Sequence, residues 1–221
     1  MLTSKSLFHA NVAFLFLDGR FAAPDNSEIA ALFSGQAAQG ARFVDDPVMR
    51  TKILTLPAAQ MKVVLEGRRL RVEDEAGTEP DTSRLIGEAH RVCHTLFPQA
   101  PLEGFGFNFD LYCRFNNVLS IKNMFEYFFG TKILKTPDLR DFGFQFTLDR
   151  GGNPRTQRAE QSSYDGNNAD IYFLKVTAPL EIAVHVNRHF AQRALPAKEQ
   201  LQKLFENCYT DIDAVLSHLK A

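Results

Sequence analysis

The chain has no tryptophan and only three cysteines in its 221 residues. Without tryptophan, the large apolar area must come from the twenty phenylalanines, each contributing about 1.5–3 kcal/mol when fully buried. The cysteines, Cys93, Cys113 and Cys208, are odd in number and widely spaced. That excludes a disulfide framework and reads as buried free thiols in a reducing compartment. Long apolar runs are also missing. Val12 to Leu17 is far shorter than the ~20 residues that cross a bilayer, and shorter than a signal-peptide core. The expectation is a cytoplasmic protein without membrane contact. Neither sign of charge dominates: the formal net charge is −1, which argues against broad electrostatic capture of nucleic acid. No catalytic signature, metal-ligand set or nucleotide loop stands out, and no cofactor is expected. Gly104-x-Gly106 falls inside a strand rather than ahead of a helix, so it is not a dinucleotide loop. There it permits a bend, a bulge or a close backbone approach.

What is present is strong alternation. Gly104–Phe115 (GFGFNFDLYCRF) places Phe105, Phe107, Phe109, Leu111, Cys113 and Phe115 on one side. Asn108, Asp110, Tyr112 and Arg114 take the other. Asp141–Asp149 alternates likewise, with Gln145 and Thr147 among its polar positions. Further strands are expected at Asn11–Leu17, Ala41–Val44, Lys52–Leu56, Met61–Leu65, Arg69–Glu73, Asp170–Thr177 and Glu181–Phe190. A short helix capped by Asp25 and Glu28 carries Ile29, Leu32 and Phe33 toward Gly35. Longer amphipathic helices are expected over Ser83–Phe97 and Ala197–Leu219, and a third begins near Ser120 and stops at Gly130.

The order of elements repeats. Residues 8–100 and 101–221 each open with an apolar strand, pass through a short capped helix and hairpin strands, and close with a long helix. One half buries only one face of its sheet, so two halves joined edge to edge complete a core. The expected fold is therefore α+β and a single domain over 1–221. A curved, mainly antiparallel sheet of two β-α-β(n)-α halves would carry its long helices on one face. This order resembles the duplicated half of TATA-binding-protein-like folds and the helix-grip class. The strand GFGFNFDLYCRF and the helix LQKLFENCYTDI are similar to those of a sporadic, uncharacterised family of bacterial proteins. The resemblance implies a shared plan and no activity, since no DNA-kinking residue has a counterpart in this chain.

The chief candidate for function is the polar sheet face. His185, Asn187 and His189 alternate with Ile182, Val184 and Val186, so period two places them on one side. Asn108, Asp110, Tyr112 and Arg114, with Gln145, are expected to share that side. The plain alternative is a solvated face, which antiparallel sheets commonly have. An acid–base active site lacks a nucleophile beside a base. His90 and His94 stand at metal-ligand spacing, but Arg91 occupies the place of a metalloprotease glutamate and no second ligand cluster accompanies them. Arg150, Arg155 and Arg158 flank the turn Gly151–Pro154 and could contact phosphate. Three readings compete. The first is a non-enzymatic binding or assembly module holding a protein partner or a second copy on the polar face or an edge strand. Next comes a small-molecule binder or enzyme of the helix-grip kind, with a cavity under the final helix. A nucleic-acid binder using the arginine hairpin ranks last.

Overall fold

The computed structural model describes residues 2–17, 22–116, 126, 143–149, 169–178 and 180–218. In chain order the elements are β1 (Leu2–Phe16), α1 (Asn26–Ala30), β2 (Arg42–Asp46), β3 (Thr51–Leu56), β4 (Met61–Glu66) and β5 (Arg69–Asp74). Then follow α2 (Leu85–Leu96), β6 (Leu102–Phe115), β7 (Gly143–Asp149), β8 (Ala169–Ala178), β9 (Glu181–Phe190) and α3 (Lys198–His218). The nine strands form one antiparallel sheet in the order β2-β3-β4-β5-β1-β6-β9-β8-β7. The fold is thus α+β and mostly sheet. Among the described residues, no helix is long and apolar enough to cross a membrane.

β6 is central because its sequence leaves it no other place. Phe105, Phe107, Phe109, Leu111 and Cys113 are all essentially inaccessible to solvent. Such a strand needs a neighbour on each edge and a cover on its apolar face. β1 and β9 supply the edges. On the apolar side, Phe205 of α3 lies 5.0 Å from Phe109 and 5.3 Å from Phe107, ring to ring. Tyr209 lies 5.7 Å from Phe109. α2 buries Leu85, Ile86, Ala89, Val92 and Cys93 and touches β1, β5 and α3. Ser83 Oγ accepts the Leu85 N–H at 3.1 Å and so caps α2. Cys93, Cys113 and Cys208 are free and buried.

Two elements depart from the sequence reading. β1 begins at Leu2 instead of Asn11. Its first residues are polar and carry no apolar stripe; ladder hydrogen bonds to the long β6 extend it. A β-bulge between Leu7 and His9 inserts Phe8 as an extra residue. α1 is a single turn ending at Ala30, with Glu28 Oε2 accepting the Asp25 N–H at 2.7 Å, so Leu32 and Phe33 lie beyond it. A second surprise sits on the apolar face. Arg188, in register with Phe107, is buried and pairs with Asp170 at 2.8 Å and with Asp211 of α3 at 3.1 Å.

Candidate functional site

The face opposite Phe107 and Phe109 is organised as rungs across the strands. Registers align Gln145, Phe173, His185, Asp110 and His9 as one rung from β7 to β1. The adjacent rung runs Thr147, Ile171, Asn187, Asn108, Asn11 and Glu73, from β7 to β5. Side chains in direct register lie close enough to bond, and here they do. Asp110 Oδ1 accepts from His185 Nδ1 at 2.6 Å, and Asp110 Oδ2 accepts from His9 Nδ1 at 2.7 Å. A carboxylate only accepts, so both imidazoles carry their proton on Nδ1. In the next rung Asn187 Nδ2 donates to Asn108 Oδ1 at 2.6 Å, and Asn108 Nδ2 donates to Asn11 Oδ1 at 2.7 Å.

The charges are mutually arranged. Hydrogen bonding to Asp110, with Glu73 adding to it, raises the His9 pKa to about 9 against the opposing effect of burial. His9 is therefore a cation at neutral pH. Burial pushes the Asp110 carboxyl up, but hydrogen bonds from His185 and His9 outweigh it and hold the group well below the usual carboxylate range. Glu73 is likewise pushed up by burial and brought down further by His9, 3.9 Å away, and by Arg71, whose Nε lies 2.5 Å from Glu73 Oε1. These groups line a groove of about 440 Å³ together with Arg69. Arg69, Asn108 and Asn187 also line a narrower slot of about 190 Å³, walled by His189 and Ile171. Gly104 gives the His189 ring its place, since a Cβ there would lie 2.7 Å from Cε1. Burial lowers the His189 pKa, with Glu103 opposing. Gly106 allows a close backbone approach: a Cβ would meet the Arg188 carbonyl oxygen at 2.7 Å.

Of the residues singled out from sequence, Asn108, Asp110, His185 and Asn187 join in one hydrogen-bonded set, with His189 beside it. Asn108 is buried, which a freely solvated face would not produce. Tyr112 is 41% exposed, and Phe8, turned onto this side by the bulge, stacks on it at 4.6 Å. Arg114 is exposed near the strand end, in register with Glu181. Gln145 is exposed, one strand beyond His185. Arg150, Arg155 and Arg158 lie outside the described residues, as do the helix expected near Ser120 and the turn at 165–168. His90 and His94 sit on α2 with rings 6.3 Å apart, above a cleft of about 830 Å³ shared with Lys198 and Glu206 of α3. Burial lowers the His90 pKa, and His94 adds to this. Among the described residues, no group of three or more His, Cys, Asp or Glu side chains is gathered as a metal ion would require.

Sequence reasoning missed His9, Asn11, Arg69, Arg71 and Glu73. A signal was available. His-x-Asn occurs as His9–Asn11 and again as His185–Asn187, flanking Asn108-x-Asp110 in the middle strand. His185 has Nδ1 fixed to Asp110 while its side chain stays 44% exposed. Among the described residues that line the groove there is no serine, threonine, cysteine or lysine. No family model matches the chain, and a search of curated proteins finds no relative.

Proposed function

We propose that the protein is a non-enzymatic binding module that holds a protein partner, or a second copy of itself, on the sheet face bearing the His–Asp–His rung. One observation carries this reading. Phe8, Tyr112 and Phe173 are 42%, 41% and 42% exposed, and they flank that rung. Exposed aromatic rings around prearranged polar groups are the composition of an interface centre. Sheet residues turned to water without a role need no such rings. The reading includes a doubled plan. β1 and β6, the opening strands of the two halves, lie together at the middle of the sheet. The next strand of each, β2 and β7, lies at an edge, and the remainder run back inward. The long helices of both halves would then cover the apolar face of a curved sheet and leave the other for binding.

The helix-grip alternative needs open space between α3 and the sheet. The rings of Phe107, Phe109, Phe205 and Tyr209 occupy that region in mutual contact, and the alternative draws no support from them. The test is affinity capture and native mass measurement with wild type and Tyr112→Asp. The wild type is expected to retain a partner or to dimerise, and the variant to lose this with its melting temperature unchanged. A wild-type protein that stays a lone monomer and retains nothing overturns the reading.

A further inference from the structure

The geometry points to a carboxylate-binding site in the groove, with the Arg69 guanidinium as its anchor. Within the reading above, on which the identity of the ligand's source rests, the carboxylate is an acidic side chain or the chain end of the partner. Three observations support the site. First, the other charged groups that line the groove, His185 aside, are committed to one another. Arg71 pairs with Glu73 and lies 3.5 Å from Glu66, and Asp110 takes both imidazoles. Arg69 lines both the groove and the slot and is half-buried, and its side chain makes no hydrogen bond or ion pair among the described residues.

Second, the asparagine rung has a direction. Donors run from Asn187 to Asn108 to Asn11, so Asn187 and Asn108 each spend one N–H within the rung, while Asn11 Nδ2, on the strand next to that of Arg69, spends neither. Asn11 is only 6% exposed and lines the same groove. An amide N–H that lines the groove with no protein acceptor among the described residues can donate to a ligand oxygen.

Third, the charge balance selects the ligand. Among the lining groups, His185 aside, three cations (His9, Arg69, Arg71) face two carboxylates (Glu73, Asp110); Glu66, 3.5 Å from Arg71, lies outside the lining, so the uncompensated positive charge within the groove is that of Arg69. A planar monoanion matches that surplus and the fork of a guanidinium. A phosphate dianion would bring excess negative charge against Glu73 and Asp110.

The experiment is a titration of the full chain followed by side-chain N–H resonances. The probes are N-acetylglutamate α-methylamide for a side-chain carboxylate, N-acetylalanine for a chain end, and inorganic phosphate. Either carboxylate is expected to bind saturably and to shift the Arg69 and Asn11 signals. Phosphate should bind at least tenfold more weakly. Arg69→Gln should weaken the carboxylate at least tenfold, and Arg69→Lys should weaken it less. No saturable response, a response surviving Arg69→Gln, or equal binding of phosphate overturns the site. Carboxylate binding by a protein that captures no partner would remove the binding-module reading and leave the site standing.

Discussion

Asp110→Asn removes the one carboxylate that receives both imidazoles, and its effect on stability should depend on pH in a defined way. The His9 pKa is raised from an ordinary 6.5 to about 9, chiefly by its bond to Asp110. A raised pKa means that the folded state holds the proton more tightly. The stability it contributes is fully present below pH 6.5 and is lost as pH rises through 9. At 1.36 kcal/mol per pKa unit, the full difference is about 3 kcal/mol. The His9 side chain is 24% exposed, so solvent screening reduces this to about 1–2 kcal/mol. The depressed Asp110 pKa reports the same contacts and adds nothing further to this difference. Asp110→Asn should therefore be less stable than wild type by about 2–3 kcal/mol at pH 6. The gap should narrow to about 1 kcal/mol at pH 10, where only neutral N–H bonds to the carboxylate remain. Urea denaturation of both proteins across this range measures the gap, and the His9 ring resonances report its titration directly. A wild-type His9 midpoint near 6.5, or a gap that does not change with pH, refutes the account.

Three other perturbations probe the two faces. Phe107→Ala should cost about 3–5 kcal/mol, because its inaccessible ring packs on Phe205 and Phe190, while Arg114→Ala at an exposed position should stay within about 0.5 kcal/mol; a reversed order in thermal melts would show the faces assigned backwards. Arg188→Ala should cost about 3–5 kcal/mol by taking the guanidinium away from the buried Asp170 carboxylate, and Arg188→Met with Asp170→Leu should recover most of it; additive losses in chemical denaturation would contradict this. Burial pushes the thiols of Cys93, Cys113 and Cys208 up to about 12, so a disulfide reagent at pH 8 should label none of them before urea unfolds the chain, and rapid labelling of the native protein would count against their burial.

Much of the architecture was legible because one residue in two must face the core. β6 and β9 announce their sidedness through Phe105–Phe115 and Ile182–Val186, and α2 and α3 through apolar stripes at helical spacing. Half of the site was legible by the same rule, since Asn108, Asp110, His185 and Asn187 lie in those strands. The other half was not. Residues 2–9 show no apolar stripe, and only the ladder to β6 makes them a strand, so His9 was left out. Which strands neighbour which is also hidden. β1 lies beside β6 and β5, not beside β2, and it is this order that brings Glu73 and Arg71 to the His9 end. Arg188 escaped for a related reason. Its parity with Ile182, Val184 and Val186 marks it as inward-facing, but its partners Asp170 and Asp211 are on another strand and a helix, where nothing local announces them.

The polar rungs also bear on what the fold requires. A one-residue slip of β6 would turn Phe105, Phe107 and Phe109 to water, so the apolar face already determines the register. The opposite face could then carry threonine and valine, which suit a pleated surface and avoid desolvating charge. The chain instead places there a carboxylate fixed between two imidazoles, a row of three carboxamides, and a guanidinium without a partner among the described residues. These contacts contribute to stability once the groups are in place, but an apolar set of similar volume would serve the fold as well. Under the binding reading proposed above, the pattern serves recognition. Asp110 spends its acceptors holding His9 and His185 in fixed orientations, and Asn108 spends its amide on its neighbours. Arg69, Asn11 and His185 all line one groove, where the partner proposed above would meet them.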